Sequence, residues 1–295
     1  MAVTYVSGGG NALRTAITNA SSGDELIVAD GTYTSGSPIN GGSKKLTVRS
    51  ENGPSNCILN SQILFSYNSS LVPNGVYSGP ERWNSYYTSY FEGFTFEGNG
   101  AAGSQGDHQL FRGMKCKNCI FQGWKPTYGI INRGVFINCI IRNSKVQTDR
   151  LCGYSYLYNC LFINNSYSGG GSTLAYSSQV VNSLFIENLN ANGTNAAGFN
   201  GSYFRAKNKI GRASALWDSQ LNRPKQDATG IWGAGNNAYL QSNCDLNGDV
   251  WLDPPSIGCY EFSLMRKYDT VLAEKFQRVD NDLRMMQRTL ENKVI

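Results

Sequence analysis

One short phrase recurs four times between residues 115 and 188, and it restricts the fold more than anything else in the chain. It reads Asn118-Cys119-Ile120-Phe121, Asn138-Cys139-Ile140-Ile141, Asn159-Cys160-Leu161-Phe162 and Asn182-Ser183-Leu184-Phe185. The steps between the second residues are 20, 21 and 23. Each phrase closes on a turn-type residue: Gly123, Asn143, Asn164 and Asn188. A unit this short cannot bury a hydrophobic face alone, so it must stack on its neighbours. Leucine-rich repeats share the length, but their regular leucine frame is missing. Short β-branched and aromatic strands broken by Asn and Gly fit a parallel β-helix instead, with one coil per repeat. In such a coil Asn tolerates the left-handed conformation needed to turn a corner, and stacked Asn side chains can hydrogen-bond along the pile. The Cys after it is expected to point inward as a small apolar group.

The rest of the chain bears on that model. Val3–Val6 reads as a first strand. Asn11 then stands at the N-cap of a short helix, Ala12–Asn19, with Leu13, Ala16, Ile17 and Ala20 on one face. Glu25–Val28 follows as a strand ending near Tyr33. Leu46-Thr47-Val48 comes about one coil later, and Cys57-Ile58-Leu59 supplies a further strand. The stretch "ALRTAITNASSGDELIVADGTYT" resembles the opening of right-handed β-helix proteins of the pectate-lyase-like superfamily. The resemblance implies that the helix plugs the open end of the first coil, where strand edges and core would otherwise meet water. "DLNGDVWLDPPSIGCYEF", from residue 245 to 262, resembles the closing segment of such proteins.

The expected fold class is therefore all-β, a single-stranded right-handed parallel β-helix with an N-terminal capping helix and a C-terminal α-helix. The body spans residues 1–262, with insertions near 67–89 and 212–235. Residues 263–295 form an attachment or oligomerisation helix. Beyond residue 263 there is no Gly or Pro, and Leu272, Phe276, Val279, Leu283, Met286 and Leu290 fall at steps of 4, 3, 4, 3 and 4. That is the a/d seam of a coiled coil. Fewer than three heptads leave the helix marginal alone. Either three copies bundle their helices, or the helix folds back on its own chain.

Composition narrows the function classes. A net charge of +5, spread along the chain, is too weak and diffuse for a nucleic-acid surface. No run of 18 apolar residues spans a membrane, and residues 1–10 carry neither the basic nor the apolar part of a secretory signal. Three of the eight cysteines sit in the repeat register, so they report on packing, and reduced thiols fit a chain folded in a cytoplasm.

Candidate chemistry is sparse. His108, the single histidine, lies between Asp107 and Arg112 and would suit acid–base chemistry, although a loop histidine with local hydrogen bonds is the simpler reading. Cys116 and Cys119 have CxxC spacing without a second ligand pair, so no metal is expected there. Asp245, Asn247 and Asp249 alternate as in a calcium loop, but Ser256 stands where the bidentate Glu belongs. Arg142, Asp149 and Arg150 are candidates for convergence in space. The catalytic motifs of the superfamily's pectin-hydrolysing and pectate-lyase branches are absent, so no catalytic residue and no cofactor is assigned. Aromatics are the better lead: Trp83, Tyr86, Tyr87 and Tyr90 cluster in the first insertion, and Trp217 and Trp232 mark the second. Flat rings on loops bind sugars, or else anchor those loops to the coil.

Among β-helix proteins without a signal peptide, the plan resembles bacteriophage tailspikes, tail fibres and head fibres. That resemblance implies a trimeric virion component made in a host cytoplasm, partnered by other virion proteins and by host surface glycan. A polysaccharide lyase or hydrolase and a bacterial surface adhesin are the alternatives.

Overall fold

The computed structural model describes residues 1–65, 89–98, 111–126, 129–132, 134–147, 151–167, 173–176, 178–189 and 258. It also describes the backbone of five short strands between residues 198 and 224. The chain separates into two units, Met1–Glu261 and Phe262–Ile295, and the heptad residues Leu272 to Leu290 lie outside the described residues.

The first unit is a parallel β-helix. Each coil contributes one strand to each of three sheets, which hold nine, eight and seven strands in sequential order. In the coil after the capping helix, Glu25–Val28 belongs to the first sheet, Gly31–Thr34 to the second and Ile39–Gly42 to the third. Three coils on, Met114–Lys117, Ile120–Gln122 and Ile131–Asn132 take the same places. All three sheets are parallel throughout, and in-register pairing carries Phe96 onto Phe121, then Ile141, Phe162 and Phe185. Their rings stack at the rung spacing, with centroids 4.7 Å apart for Phe96–Phe121 and 4.8 Å for Phe162–Phe185. One antiparallel pairing occurs among the described residues, Trp217–Asp218 with Arg223–Pro224, inside the stretch expected to be the second insertion.

The corners are built as the repeated phrase requires. Asn118, Asn138, Asn159 and Asn182 have φ between 50° and 53°. The N–H of Asn138 donates to the Tyr158 carbonyl of the next coil at 3.0 Å, and that of Asn159 to Val181 at 3.1 Å. Asn138 Nδ2 also donates to Asn118 Oδ1 at 3.3 Å, a link along the pile. Cys119, Cys139 and Cys160 point into the core with no exposed surface. Each thiol donates to the carbonyl two residues back and lies 3.4–3.7 Å from a carbonyl of the preceding coil. Ser183, the fourth member, donates to Val181 O at 3.0 Å and accepts from Cys160 N at 3.2 Å.

A second corner follows the second sheet, and here the closing residues sort differently from the sequence reading. Gly123, Asn143 and Asn164 have positive φ, but in the last phrase that role falls to Glu187, at 47°. Asn188 is instead buried, one step along, beneath Asn165. Asn165 Nδ2 donates to Ile141 O at 2.8 Å and to Asn188 Oδ1 at 2.9 Å, while its Oδ1 accepts from Ser144 N at 3.1 Å. Asn188 Nδ2 continues the ladder to Phe162 O at 2.9 Å. This inward ladder satisfies backbone groups that a turning chain would otherwise bury unpaired.

At the N-terminal end the helix Ala12–Asn19 inserts Leu13 and Ile17, both fully buried, into the core of the first coil. Its start departs from the expected cap. Asn11 makes no side-chain cap bond; Gly8, Gly9 and Gly10 turn the chain at positive φ, and Ala12 N donates to Gly9 O. Gly9 also passes so close to Thr32 O that a Cβ there would stand 2.9 Å away. At the other end of the helix Lys44 Nζ donates to the carbonyls of Ile17 and Thr18, where a cation favours the helix dipole.

Two measurements test this account. Asn165→Leu strands the Ser144 N–H and the Ile141 carbonyl, so it is expected to cost about 3 kcal/mol in urea unfolding, while Asn143→Gly at the exposed corner leaves the midpoint almost unchanged. Burial pushes the Cys57 thiol and the Tyr167 phenol up to about 12. Unfolded, these groups ionise near about 8.5 and about 10. Their stabilisation is therefore complete below those values and is lost as pH rises toward 12. The urea midpoint should fall steadily above about pH 9, and Cys57→Ala should blunt that fall.

Candidate functional site

Period-two alternation sends every second residue of a strand to the outside of the stack. On the first sheet this builds a strip of charge across four coils. Glu25, Thr47, Tyr90 and Lys115 are in register as one outward column. Arg49, Glu92 and Lys117 form the next. Between the columns Val48, Phe91 and Cys116 point inward and are fully buried, which fixes the strand faces.

The strip is cross-linked by its own charges. Arg49 Nε donates to Glu25 Oε1. Lys117 Nζ lies 3.4 Å from Glu92 Oε1, and the Tyr90 hydroxyl donates to Glu92 Oε2 at 2.8 Å. Lys115 Nζ stands 5.8 Å from the centroid of the Tyr90 ring, within cation–π reach. Burial lowers the Lys115 ammonium below the ordinary lysine value, and the nearby Lys117 charge adds to that. Burial first, then the Glu92 carboxylate, pushes the Tyr90 phenol up, so it is held as a proton donor. The guanidinium of Arg49 is pushed up by its bond to Glu25. Three cations, two carboxylates and one ring thus sit on rigid strands.

A shorter polar row runs on the second sheet. Gln122 Nε2 donates to Glu97 Oε1 at 2.9 Å, and Arg142 Nε donates to Gln122 Oε1 at 2.8 Å. Arg142 is thereby tied to its own sheet, and Asp149 and Arg150 fall outside the described residues, as do Asp107, His108, Asp245, Asn247 and Asp249. Cys116 and Cys119 are free thiols sealed in the core. Among the described residues no cluster of His, Cys, Asp and Glu is arranged to hold a metal ion.

Of the aromatic residues proposed to meet glycan, Trp83, Tyr86, Tyr87 and Trp232 lie outside the described residues, and Trp217 is placed only by its backbone. Tyr90 belongs not to an insertion but to the strand Ser89–Glu92, at the middle of the strip. The sequence reading missed Arg49, Glu92, Lys115 and Lys117. Their signal is the alternation in "TVRS", "SYFE" and "MKCK", with an apolar residue between polar ones.

No protein-family model and no characterised protein sequence matches the chain. Several solved structures align with much of its length at low similarity. A mannuronic-acid-specific polysaccharide family 6 lyase from the human gut microbiota superposes with a TM-score of 0.39 at 13% identity, over 71% of this chain and 59% of that one. A Geobacillus virus E2 protein, ORF18, does so with a TM-score of 0.27 at 12% identity, over 72% of this chain and 62% of that one. Pectate lyase Pel9A gives a TM-score of 0.29 at 12% identity, over 88% and 96%. The chain spans less than two thirds of the gut lyase and of the virus protein, and at such identities the likeness is one of fold alone.

Proposed function

We propose that the protein is a β-helical spike or fibre component of a bacteriophage virion that engages an acidic surface polysaccharide through the strip on its first sheet. The observation that carries the glycan part is the grouping of Lys115, Tyr90 and Lys117. A ring lies near one ammonium, a second ammonium follows two residues on, and Arg49 extends the row. A sugar ring bearing a carboxylate needs a flat apolar face and fixed cations of this kind. The virion part draws on the buried thiols of Cys119, Cys139 and Cys160, which suit assembly in a reducing cytoplasm, and on the heptads of residues 263–295, which suit a trimer.

One observation favours a second reading, a polysaccharide lyase. An amine whose burial lowers its pKa, beside a phenol held protonated, is equipped to take the proton next to a uronate carboxylate while a neighbouring donor meets the departing glycosidic oxygen. Arg49 and Lys117 would then offset the carboxylate charge.

In a panel of capsular and uronate polysaccharides, titration calorimetry should find acidic chains bound and neutral chains not. Lys115→Ala and Lys117→Ala should each weaken binding by about threefold, and added salt should do the same to the intact protein. Absence of any acidic ligand at low ionic strength would sink the glycan reading, and a monomeric native mass would sink the trimeric spike.

The lyase reading makes a separate prediction. Ultraviolet absorbance of the unsaturated product should grow with time, and its rate should rise with pH as Lys115 loses its proton. Because that pKa is lowered, the rise should come below the ordinary lysine value of about 10.4. Activity that survives Lys115→Ala would remove the amine from the reaction.

A further inference from the structure

The strip on the first sheet begins one coil before its charges. Val3–Val6 is the first strand of that sheet, and it sets Val3 on Glu25 and Tyr5 on Ile27 in register. Tyr5 therefore heads the outward column that runs through Ile27 and Arg49 to Glu92 and Lys117. The ring stands clear of the surface. Tyr5 is 70% exposed, whereas the Lys117 side chain at the far end of the column is 28% exposed. Among the described residues Tyr5 and Val3 are, with Met1 and Leu189, the large apolar side chains that meet water.

Ile27 adds an apolar floor beside that ring. Leu26 and Val28 on either side of it belong to the core, so Ile27 points outward, yet it is buried, with Tyr5 and Arg49 as its neighbours in register. Tyr5 also lies near enough to Arg49 to help push the guanidinium pKa up, after the larger effect of Glu25. The two ends of the strip differ in charge. Beside Tyr5 the cation, Arg49, is already held by Glu25, while at the other end two ammoniums, Lys115 and Lys117, follow one carboxylate, Glu92. Tyr5 and Tyr90 are three rungs apart along the stack and two residues apart across it, which sets their Cα atoms about 16 Å apart. One sugar ring cannot touch both.

We propose that Tyr5, with Ile27 beside it, is a second aromatic subsite of the strip, stacking on the face of one sugar while Lys115 and Lys117 hold a carboxylate further along the same glycan chain. The ligand is then an extended acidic polysaccharide running along the axis of the stack, and a single sugar is too short to fill the site. Tyr5's role rests on the glycan reading above, and adds to it the length and direction of chain that the strip selects.

The test is titration calorimetry on the full chain, with size-fractionated oligomannuronates, oligogalacturonates and fragments of acidic capsular chains as probes. Affinity is expected to step up between the disaccharide and the hexasaccharide. Tyr5→Ala should remove that step, weakening the hexasaccharide by about fivefold and leaving the disaccharide unchanged. Tyr5→Phe should restore it, because the face of the ring and not the hydroxyl makes the contact. The loss from Tyr5→Ala should be the same at low and high salt, whereas that from Lys117→Ala should shrink as salt is added. Tyr5 is exposed, so the urea midpoint of Tyr5→Ala should match that of the unaltered protein. If the hexasaccharide binds Tyr5→Ala undiminished while Lys117→Ala still weakens it, the subsite is overturned and the glycan reading stands. An equal loss for disaccharide and hexasaccharide would overturn the bridging of the two rings. If no acidic chain binds at all, the subsite falls together with the glycan reading.

Discussion

The left-handed corner residue is the constraint on which the rest of this β-helix depends. A coil of about 21 residues must change direction between sheets without burying an unpaired amide. At Asn138 and Asn159 the chain does so with φ near 52°, while the corner N–H reaches the carbonyl of the next coil. Most residues are disfavoured in that region by roughly 1–2 kcal/mol, and Asn is among those that tolerate it best. Once corners stack, the strands between them are forced into register. Everything inward then follows: Phe96 over Phe121, Phe162 over Phe185, and a row of thiols at one depth.

Register also decides what faces outward. The same columns that carry Tyr90, Lys115, Arg49, Glu92 and Lys117 continue into Val135, Ile137, Tyr156 and Tyr158. The backbone is indifferent to this change, since both stretches pair identically. The outer surface is thus divided by side chains alone, into a polar strip over the early coils and a buried apolar belt over the later ones. Such a division is how one scaffold hosts unrelated activities.

How much of this the sequence disclosed depends on how local the signal is. The Asn-Cys phrase was readable because its two residues answer to local demands, a left-handed corner and a small inward group. The helix Ala12–Asn19 was readable by its spacing, although its glycine start was not, because Asn11 carries the cap residue's identity without making the cap's hydrogen bond. Glu187 and Asn188 were interchanged for a similar reason. Asn suits both a left-handed turn and an inward ladder, and only the coil register separates the two. The polar strip was hidden for a different reason. Arg49 meets Glu92 across 43 positions, with residues 66–88 between the two coils, so no fixed period brings them together in the sequence.

The pairing within the strip has a consequence for any anion that binds there. Lys117 already faces Glu92 and Arg49 already holds Glu25, so a sugar carboxylate must compete for cations that are partly satisfied. Exchange of one carboxylate for another in a half-exposed site yields little net free energy. A single strip on this plan is therefore a weak binder, however well its geometry suits the ligand. Useful affinity would come from presenting several strips to one repeating polymer, where the second contact is made at the high effective concentration set by the first. In the proposed trimer, the heptad helix would supply the multiplicity that the strip's own chemistry lacks.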